Sequence, residues 1–68
     1  MAAIKVIKVH GTSEESWQDA AESAFEEASK TVEGIREIEI VGWRAVVEDD
    51  DIVEYHATVE LAFPVRQS

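Results

Sequence analysis

The chain has 68 residues and no cysteine, and its 15 acidic side chains outnumber 6 basic ones, giving a formal net charge of −9. So short a chain forms one domain, residues 1–68, and buries too little apolar surface to be stable alone; with disulfides excluded, self-association is the stabilising device we expect. The excess of acidic residues excludes a nucleic-acid partner, because binding to phosphates needs a basic face. No apolar run is long enough to span a membrane. We therefore predict a cytoplasmic protein that binds neither nucleic acid nor membranes.

The first element is predicted to be a strand at a sheet edge, over residues 4–10, because two lysines interrupt its β-branched residues. His10, at the end of this strand, is predicted to be a surface residue. Gly11 ends the strand pattern. Thr12, with Glu15 three residues later, forms a capping box that predicts the start of a helix.

The predicted helix covers residues 13–32, where apolar residues recur at spacings of three and four. Its apolar face consists of Trp17, Ala20, Ala21, Ala24, Phe25, Ala28 and Val32. The many alanines would let the helix lie close to a sheet. Gly34 supplies the left-handed residue that commonly follows a helix.

Two strand-like runs follow, residues 35–48 and 52–65, and Asp49-Asp50-Asp51 between them predicts the turn of a hairpin. The element order is βαββ, an α+β fold in which a three-stranded antiparallel sheet packs on one helix. In the last strand apolar and polar residues alternate, and we expect the apolar set to face the helix: Val53, Tyr55, Ala57, Val59, Leu61 and Phe63.

The first strand of the hairpin carries apolar residues on both of its faces. The set predicted to face the helix is Ile38, Ile40 and Val46, with Gly42 as a site for a bulge. The opposite face carries Glu37, Glu39, Val41, Trp43, Ala45 and Val47. One helix covers only one face of a sheet, so the second apolar face indicates an interface with another chain or, as the alternative, a ligand site.

The segment Gly11-Thr12-Ser13-Glu14-Glu15-Ser16, between an edge strand and a helix that leads into a long hairpin ending in Ala62-Phe63, resembles the dodecins. The resemblance extends from about Lys5 to Phe63. It implies a hollow shell of twelve identical copies, with helices outward and sheets inward. It also implies that the protein binds and stores a small ligand and is not an enzyme. Flavin-binding dodecins hold flavins such as FMN, FAD or riboflavin between aromatic side chains.

On alignment with the flavin-binding dodecins, their stacking Trp falls on Glu37 and their Gln on His56, and two arginines fall on Arg44 and Pro64. A carboxylate cannot stack on a flavin ring and repels a flavin phosphate. The sequence is therefore similar to the branch without that Trp, and tight flavin binding is not expected. Trp43 offers another aromatic group, either for a subunit interface or for a changed flavin pose with Arg44 and His56.

Carboxylates are the candidate cation ligands. Glu39 and Glu60 are predicted on the inner face of the sheet, while Asp49 and Asp51 lie in the turn, and both sets supply the oxygen ligands that calcium and magnesium prefer. A shell would concentrate this charge, so we expect bound cations or cross-subunit ion pairs, with Arg44 as the preferred partner of a neighbouring Glu. Two histidines without a thiol argue against a structural zinc site.

Catalysis has little support in the sequence. It has no cysteine nucleophile, and the pairing of His56 with Glu54 is too common to indicate a reaction. The predicted function is non-enzymatic binding and storage of a small ligand by a dodecin-type hollow dodecamer whose flavin site is altered. The alternative is a structural or cation-binding oligomer that binds no flavin, and the third possibility is flavin bound in a changed pose.

Overall fold

A computed structural model describes residues 2–66 of the chain. The elements are β1 (Ala2–Ser13), α1 (Trp17–Ser29), β2 (Glu37–Glu48) and β3 (Asp51–Arg66). The strand order is β1-β3-β2, and β3 pairs antiparallel with both neighbours. The predicted βαββ fold, with a three-stranded antiparallel sheet and one helix, is confirmed. No helix within residues 2–66 is long and apolar enough to span a membrane.

The core lies between α1 and the central strand β3. It is built from small residues on the helix and β-branched or aliphatic residues on the strand: Ala20, Ala21, Ala24 and Ala28, with Ala57, Val59 and Leu61. The alternation of β3 therefore predicted its buried face correctly. Because the helix face consists of alanines, α1 lies close to the sheet. It packs on β1 and β3 and barely reaches β2.

Gly11 lies inside β1, paired with Ala57, and does not end the strand. A β-carbon at Gly11 would come within 2.0 Å of the carbonyl oxygen of Ala20 and 2.9 Å of the Ala24 β-carbon. The glycine is thus required by the close approach of α1 to β1.

The helix begins later than the sequence predicted. Because β1 continues through Ser13, Thr12 is a strand residue and its predicted role as the helix cap is wrong. The cap is Ser16, whose hydroxyl accepts a hydrogen bond of 3.0 Å from the backbone N–H of Asp19. Ser13 supports the same turn, since its hydroxyl accepts from the Glu15 N–H and donates to the Asp19 carboxylate. The helix also ends earlier, at Ser29.

The hairpin between β2 and β3 has a two-residue turn. Glu48 pairs with Asp51, and the residues between them, Asp49 and Asp50, have φ values of 52° and 67°. Two consecutive left-handed residues are typical of a type I′ turn, whose twist matches that of the strands. Gly adopts this conformation freely, whereas a residue with a β-carbon does so at a cost, so the turn is strained.

A bulge in β2 reverses the faces of the residues that follow it. The register shifts between Ile40 and Gly42, so Val41 is an extra residue. After the bulge, Trp43 pairs with Ala57, which is buried under α1, and therefore lies on the helix side of the sheet.

The predicted faces of β2 are consequently right before the bulge and wrong after it. Ile38 pairs with buried Leu61 and faces the helix as expected. Trp43 and Ala45, expected on the opposite face, lie on the helix side, and Val46, expected on the helix side, lies on the opposite face. One extra residue shifts a period-two pattern by a whole step, which moves every later side chain to the other face.

We call the sheet surface away from α1 the open face. Register and alternation place these residues on it: Ile4, Val6, Lys8 and His10 of β1; Glu37, Glu39, Arg44 and Val46 of β2; and Glu54, His56, Thr58, Glu60 and Ala62 of β3. The open face thus carries most of the polar side chains that the sequence singled out.

Candidate functional site

An acidic hollow of about 410 Å³ lies on the sheet near the start of β2. It is lined by three carboxylates with small and aliphatic neighbours: Glu37, Glu39 and Glu60, with Val6, Ile38 and Ala62. Glu39 and Glu60 are direct cross-strand neighbours, and Lys8 faces Glu60 from the other side. Like charges directly opposite each other in a sheet repel, so this pair gains stability from any cation between them.

The structure brings two of the four predicted cation ligands together and separates the other two from them. Glu39 and Glu60 share the hollow, whereas Asp49 and Asp51 lie at the hairpin tip, about 30 Å away along β2. Over residues 2–66 no group of three metal-ligating side chains converges. A complete cation site on the hollow would therefore need water or ligands from a second chain.

The residues at the predicted flavin positions also fall into separate places. Arg44 and His56 are direct cross-strand neighbours on the open face. Glu37 lies in the acidic hollow, opposite Ala62, about 20 Å from the Arg44–His56 pair along β3. Trp43 lies on the other side of the sheet. A single chain thus unites only Arg44 and His56 of the predicted set.

A line of hydrogen-bonded side chains crosses from β1 to β3 on the open face. Nε2 of His10 lies 2.8 Å from Nδ1 of His56, and Nδ1 of His10 lies 2.9 Å from the Thr58 hydroxyl oxygen. At the other end, Nε2–H of His56 donates to the Glu54 carboxylate over 2.6 Å. The two imidazole rings meet edge to face, with centroids 4.9 Å apart.

Sequence reasoning missed this arrangement, because it treated His10 as an isolated surface residue. The contact depends on a pairing between residues 46 positions apart. One signal could have found it. Aligning the apolar residues of β1 with those of β3 places Val9 opposite Val59, and this register sets His10 beside Thr58 and His56.

An apolar groove of about 540 Å³ runs between α1 and β2, on the helix side of the sheet, where α1 leaves β2 uncovered. Its large apolar residues are exposed to different degrees: Phe25 38%, Ile38 45%, Ile40 37% and Trp43 55%. Polar and small groups complete it: Gln18, Ala21 and Glu22.

The end of the groove is fixed by an aromatic cluster. Nε1–H of Trp17 donates to the backbone carbonyl of Arg44 over 2.8 Å, which ties the start of α1 to β2. The Trp17 ring meets Trp43 and Tyr55 edge to face, at centroid distances of 6.2 and 4.8 Å. Edge-to-face contacts are favourable arrangements for aromatic pairs, so Trp43 is presented in a defined orientation while more than half of it remains exposed.

Comparison with known proteins gives one consistent result. The sequence model of the dodecin family matches residues 3–66. The calcium dodecin of Mycobacterium tuberculosis is 32% identical over 66 residues, which cover 97% of this chain and 93% of the relative.

Solved structures agree with the sequence comparison. The dodecin of Streptomyces coelicolor superposes with a TM-score of 0.92 at 25% identity, covering 98% of this chain and 96% of that one. The crystal structure of the M. tuberculosis calcium dodecin, described as having a novel calcium-binding site, superposes with a TM-score of 0.83 at 32% identity, covering 97% and 94%. The similarity in sequence and in fold therefore extends over nearly the whole chain.

Proposed function

Since the chain belongs to the dodecin family, we propose that it is a non-enzymatic binding and storage protein, in which residues 1–68 form one domain and twelve copies assemble into a hollow shell. Its partners are further copies of itself and a small molecule or cation. The observation that carries the assembly is the apolar groove between α1 and β2, which a single chain leaves open to water.

The groove is the proposed subunit interface because its apolar side chains are unfavourably exposed to water in a single chain. Phe25, Ile38, Ile40 and Trp43 form a contiguous apolar surface beside a helix that packs elsewhere. Contiguous apolar surface of this kind marks interaction sites in soluble proteins. A neighbouring copy that covered it would supply the burial that a chain of 68 residues lacks.

We place the chain in the dodecin branch that lacks the flavin-stacking Trp. Glu37 stands at that position, and it lines an acidic hollow with Glu39 and Glu60. Three carboxylates repel a flavin phosphate, and none supplies a stacking surface. A changed flavin pose that combined Trp43 with Arg44 and His56 finds no support within one chain, because Trp43 lies on the opposite side of the sheet. FMN, FAD and riboflavin are therefore disfavoured as ligands.

A divalent cation is the better candidate ligand, and the facing pair of Glu39 and Glu60 is its proposed site. Calcium and magnesium prefer carboxylate and water oxygens, and a net charge of −9 favours their uptake. The relative at 32% identity is named a calcium dodecin. In a shell, symmetry copies would add ligands to the two that one chain provides.

Native mass spectrometry tests the assembly and the ligand together. The expected result is a particle of twelve chains without flavin, whose excess mass corresponds to calcium or magnesium. A particle of twelve chains with flavin-sized additions would overturn the proposal for the ligand, and a monomer or dimer would overturn the assembly.

Calcium titration by calorimetry then locates the site. The double variant Glu39→Gln/Glu60→Gln should lose calcium binding. Its matched control, Asp49→Asn/Asp51→Asn, removes the same charge at the hairpin tip and should bind as the wild type does. Loss of binding in the control alone would move the site to the turn.

A further inference from the structure

We propose that His10 and His56 form a binding site for a transition-metal ion such as Cu²⁺, Ni²⁺ or Zn²⁺, held between Nε2 of His10 and Nδ1 of His56. These two nitrogens point at each other across the β1–β3 pair at 2.8 Å. Imidazole nitrogen is a ligand that suits these three metals. The site lies on the open face and is distinct from the carboxylate pair proposed above for calcium or magnesium.

In each ring, the nitrogen that faces away from the other ring, here called the outer nitrogen, already has the hydrogen-bonding partner that a metal-bound histidine needs. Nε2–H of His56 donates to the Glu54 carboxylate at 2.6 Å. Since a carboxylate only accepts, this bond leaves Nδ1 of neutral His56 with its lone pair directed at His10. Donation of the outer N–H to a carboxylate is the arrangement that orients metal-ligating histidines in proteins.

His10 can present its lone pair in the same way. Its Nδ1 lies 2.9 Å from the Thr58 hydroxyl oxygen. Without a metal, Nε2–H of His10 donates to His56, and the Thr58 hydroxyl donates to Nδ1. With a metal, the proton of His10 moves to Nδ1 and donates to the Thr58 hydroxyl, which rotates to accept it. Both inner nitrogens thus present a lone pair to the ion, and each outer nitrogen has a hydrogen-bonding partner within reach.

Metal binding requires the two rings to reorient but not to move far apart. Two metal–nitrogen bonds of about 2.0–2.1 Å, meeting at a square or tetrahedral angle, place the two nitrogens about 2.8–3.4 Å apart. The present distance of 2.8 Å lies at the short end of this range, but the ion would lie beside the line that joins the two nitrogens, so each ring must turn to direct its lone pair at the ion. His10 is exposed and the His56 side chain is 23% exposed, so water can fill the remaining coordination positions.

The charge around the site is mixed. Arg44 faces His56 from β2 and opposes a cation, but its side chain is exposed and its charge is screened by water. Glu54 on the other side of His56 offsets it, and the chain as a whole carries −9. Two histidines are too few ligands to drive folding, so the site binds metal without being a structural zinc site.

Titration of the full-length protein with Cu²⁺, Ni²⁺, Zn²⁺ and Mg²⁺ tests the site, with calorimetry for affinity and electron paramagnetic resonance for the copper ligands. We expect one Cu²⁺ per chain, coordinated by two imidazole nitrogens. Affinity should follow Cu²⁺ above Ni²⁺ and Zn²⁺, with no Mg²⁺ at this site. The chain has only two histidines, so any imidazole signal comes from His10, His56 or both.

Variants separate the ligands from their supporting partners. His10→Gln and His56→Gln should each reduce the copper affinity as far as the double variant His10→Gln/His56→Gln does. Glu54→Gln and Thr58→Val should weaken it by about tenfold each, because they remove the groups that orient the rings. Calcium binding should be unchanged in all four, so failure of this site is distinguishable from failure of the carboxylate site.

The proposal is overturned if His10→Gln binds Cu²⁺ as tightly as the wild type does, or if the wild-type copper spectrum contains fewer than two imidazole nitrogens. The spectrum is recorded on the wild type, so it decides the question even if a variant does not fold.

Discussion

Gly11 lies so close under Ala20 that a β-carbon on the glycine would come within 2.0 Å of the alanine carbonyl oxygen. The obstacle is helix backbone, which cannot rotate away as a side chain can. We therefore expect Gly11→Ala to lift α1 from the sheet and to destabilise the protein by about 3 kcal/mol or more, at the upper end of overpacking effects. Chemical denaturation at fixed protein concentration measures this loss.

Gly42→Ala is the matched control, since it adds the same methyl group to another strand glycine. Its nearest neighbour would be the Thr58 β-carbon at an ordinary 3.7 Å, and Gly42 does not have a left-handed φ. The change in stability should lie between zero and a gain of about 1 kcal/mol. Equal losses in the two variants would mean that close helix packing is not the role of Gly11.

Ser16→Ala should destabilise α1 by about 1 kcal/mol, because the Ser16 hydroxyl is the acceptor for the Asp19 N–H at the start of the helix. Thr12→Ala tests the competing position that the sequence pattern favoured, and its effect should stay within about 0.5 kcal/mol. Thermal unfolding followed by far-ultraviolet circular dichroism compares them. If Thr12→Ala lost more stability than Ser16→Ala, Thr12 rather than Ser16 would be the residue that caps the helix.

Asp50→Gly should stabilise the hairpin turn. It removes the strain of a left-handed φ of 67° at this position, and it removes the carboxylate that lies between those of Asp49 and Asp51. We expect stabilisation of about 1 kcal/mol. Asp50→Asn removes the charge but keeps the β-carbon, so the difference between the two variants isolates the backbone contribution. If both variants gain equally, charge repulsion rather than backbone strain limits the turn.

Trp43→Ala should weaken assembly, because Trp43 is the most exposed of the large apolar residues in the groove. Removing an aromatic anchor from an interface typically costs about 2 kcal/mol or more. Native mass spectrometry on dilution should therefore detect smaller species in the variant before it does in the wild type. Val47→Ala, at an apolar β2 position that is 61% exposed and outside the groove, is the control. If the Trp43→Ala variant formed the same dodecamer with the same thermal stability, Trp43 would not be an interface residue.

The strand and helix periodicities were sufficient to predict the fold, because the apolar positions in each element are the ones that the helix and the sheet bury against each other. The alternation through Ala57, Val59 and Leu61 identified the central strand's buried face, and the alanine spacing identified the helix face. Boundaries were less accessible. Strand β1 reaches Ser13 by pairing with β3, and this non-local pairing overrides the local preference of Thr12 to cap a helix.

The candidate site was less predictable than the fold, since it depends on register. Gly42 indicated a bulge, but the sequence could not fix that Val41 is the extra residue and that Trp43 consequently changes sides. Glu39 and Glu60 were correctly placed on one face, whereas the contact of His10 with His56 requires the β1–β3 pairing. Patterns within one strand are visible in a sequence, and contacts between strands are visible only once the register is known.

Glu37→Trp asks whether the remainder of a flavin pocket survives in this chain. The substitution supplies a stacking surface and removes one of the three carboxylates that line the acidic hollow. If the rest of the pocket is intact, riboflavin affinity should rise by about tenfold, the effect of one aromatic contact, and FMN affinity should rise further because a charge that repels its phosphate is gone.

Two controls make the outcome of Glu37→Trp specific, with flavin fluorescence quenching as the measurement. Glu39→Trp adds the same ring and removes the same charge two residues along β2, in the same hollow, and should leave riboflavin binding weak. Glu37→Gln should improve FMN binding without improving riboflavin binding, because it changes only the charge. If Glu37→Trp binds no more flavin than Glu39→Trp, the pocket has been lost beyond its stacking residue, which would strengthen the case for a cation as the ligand of the open face.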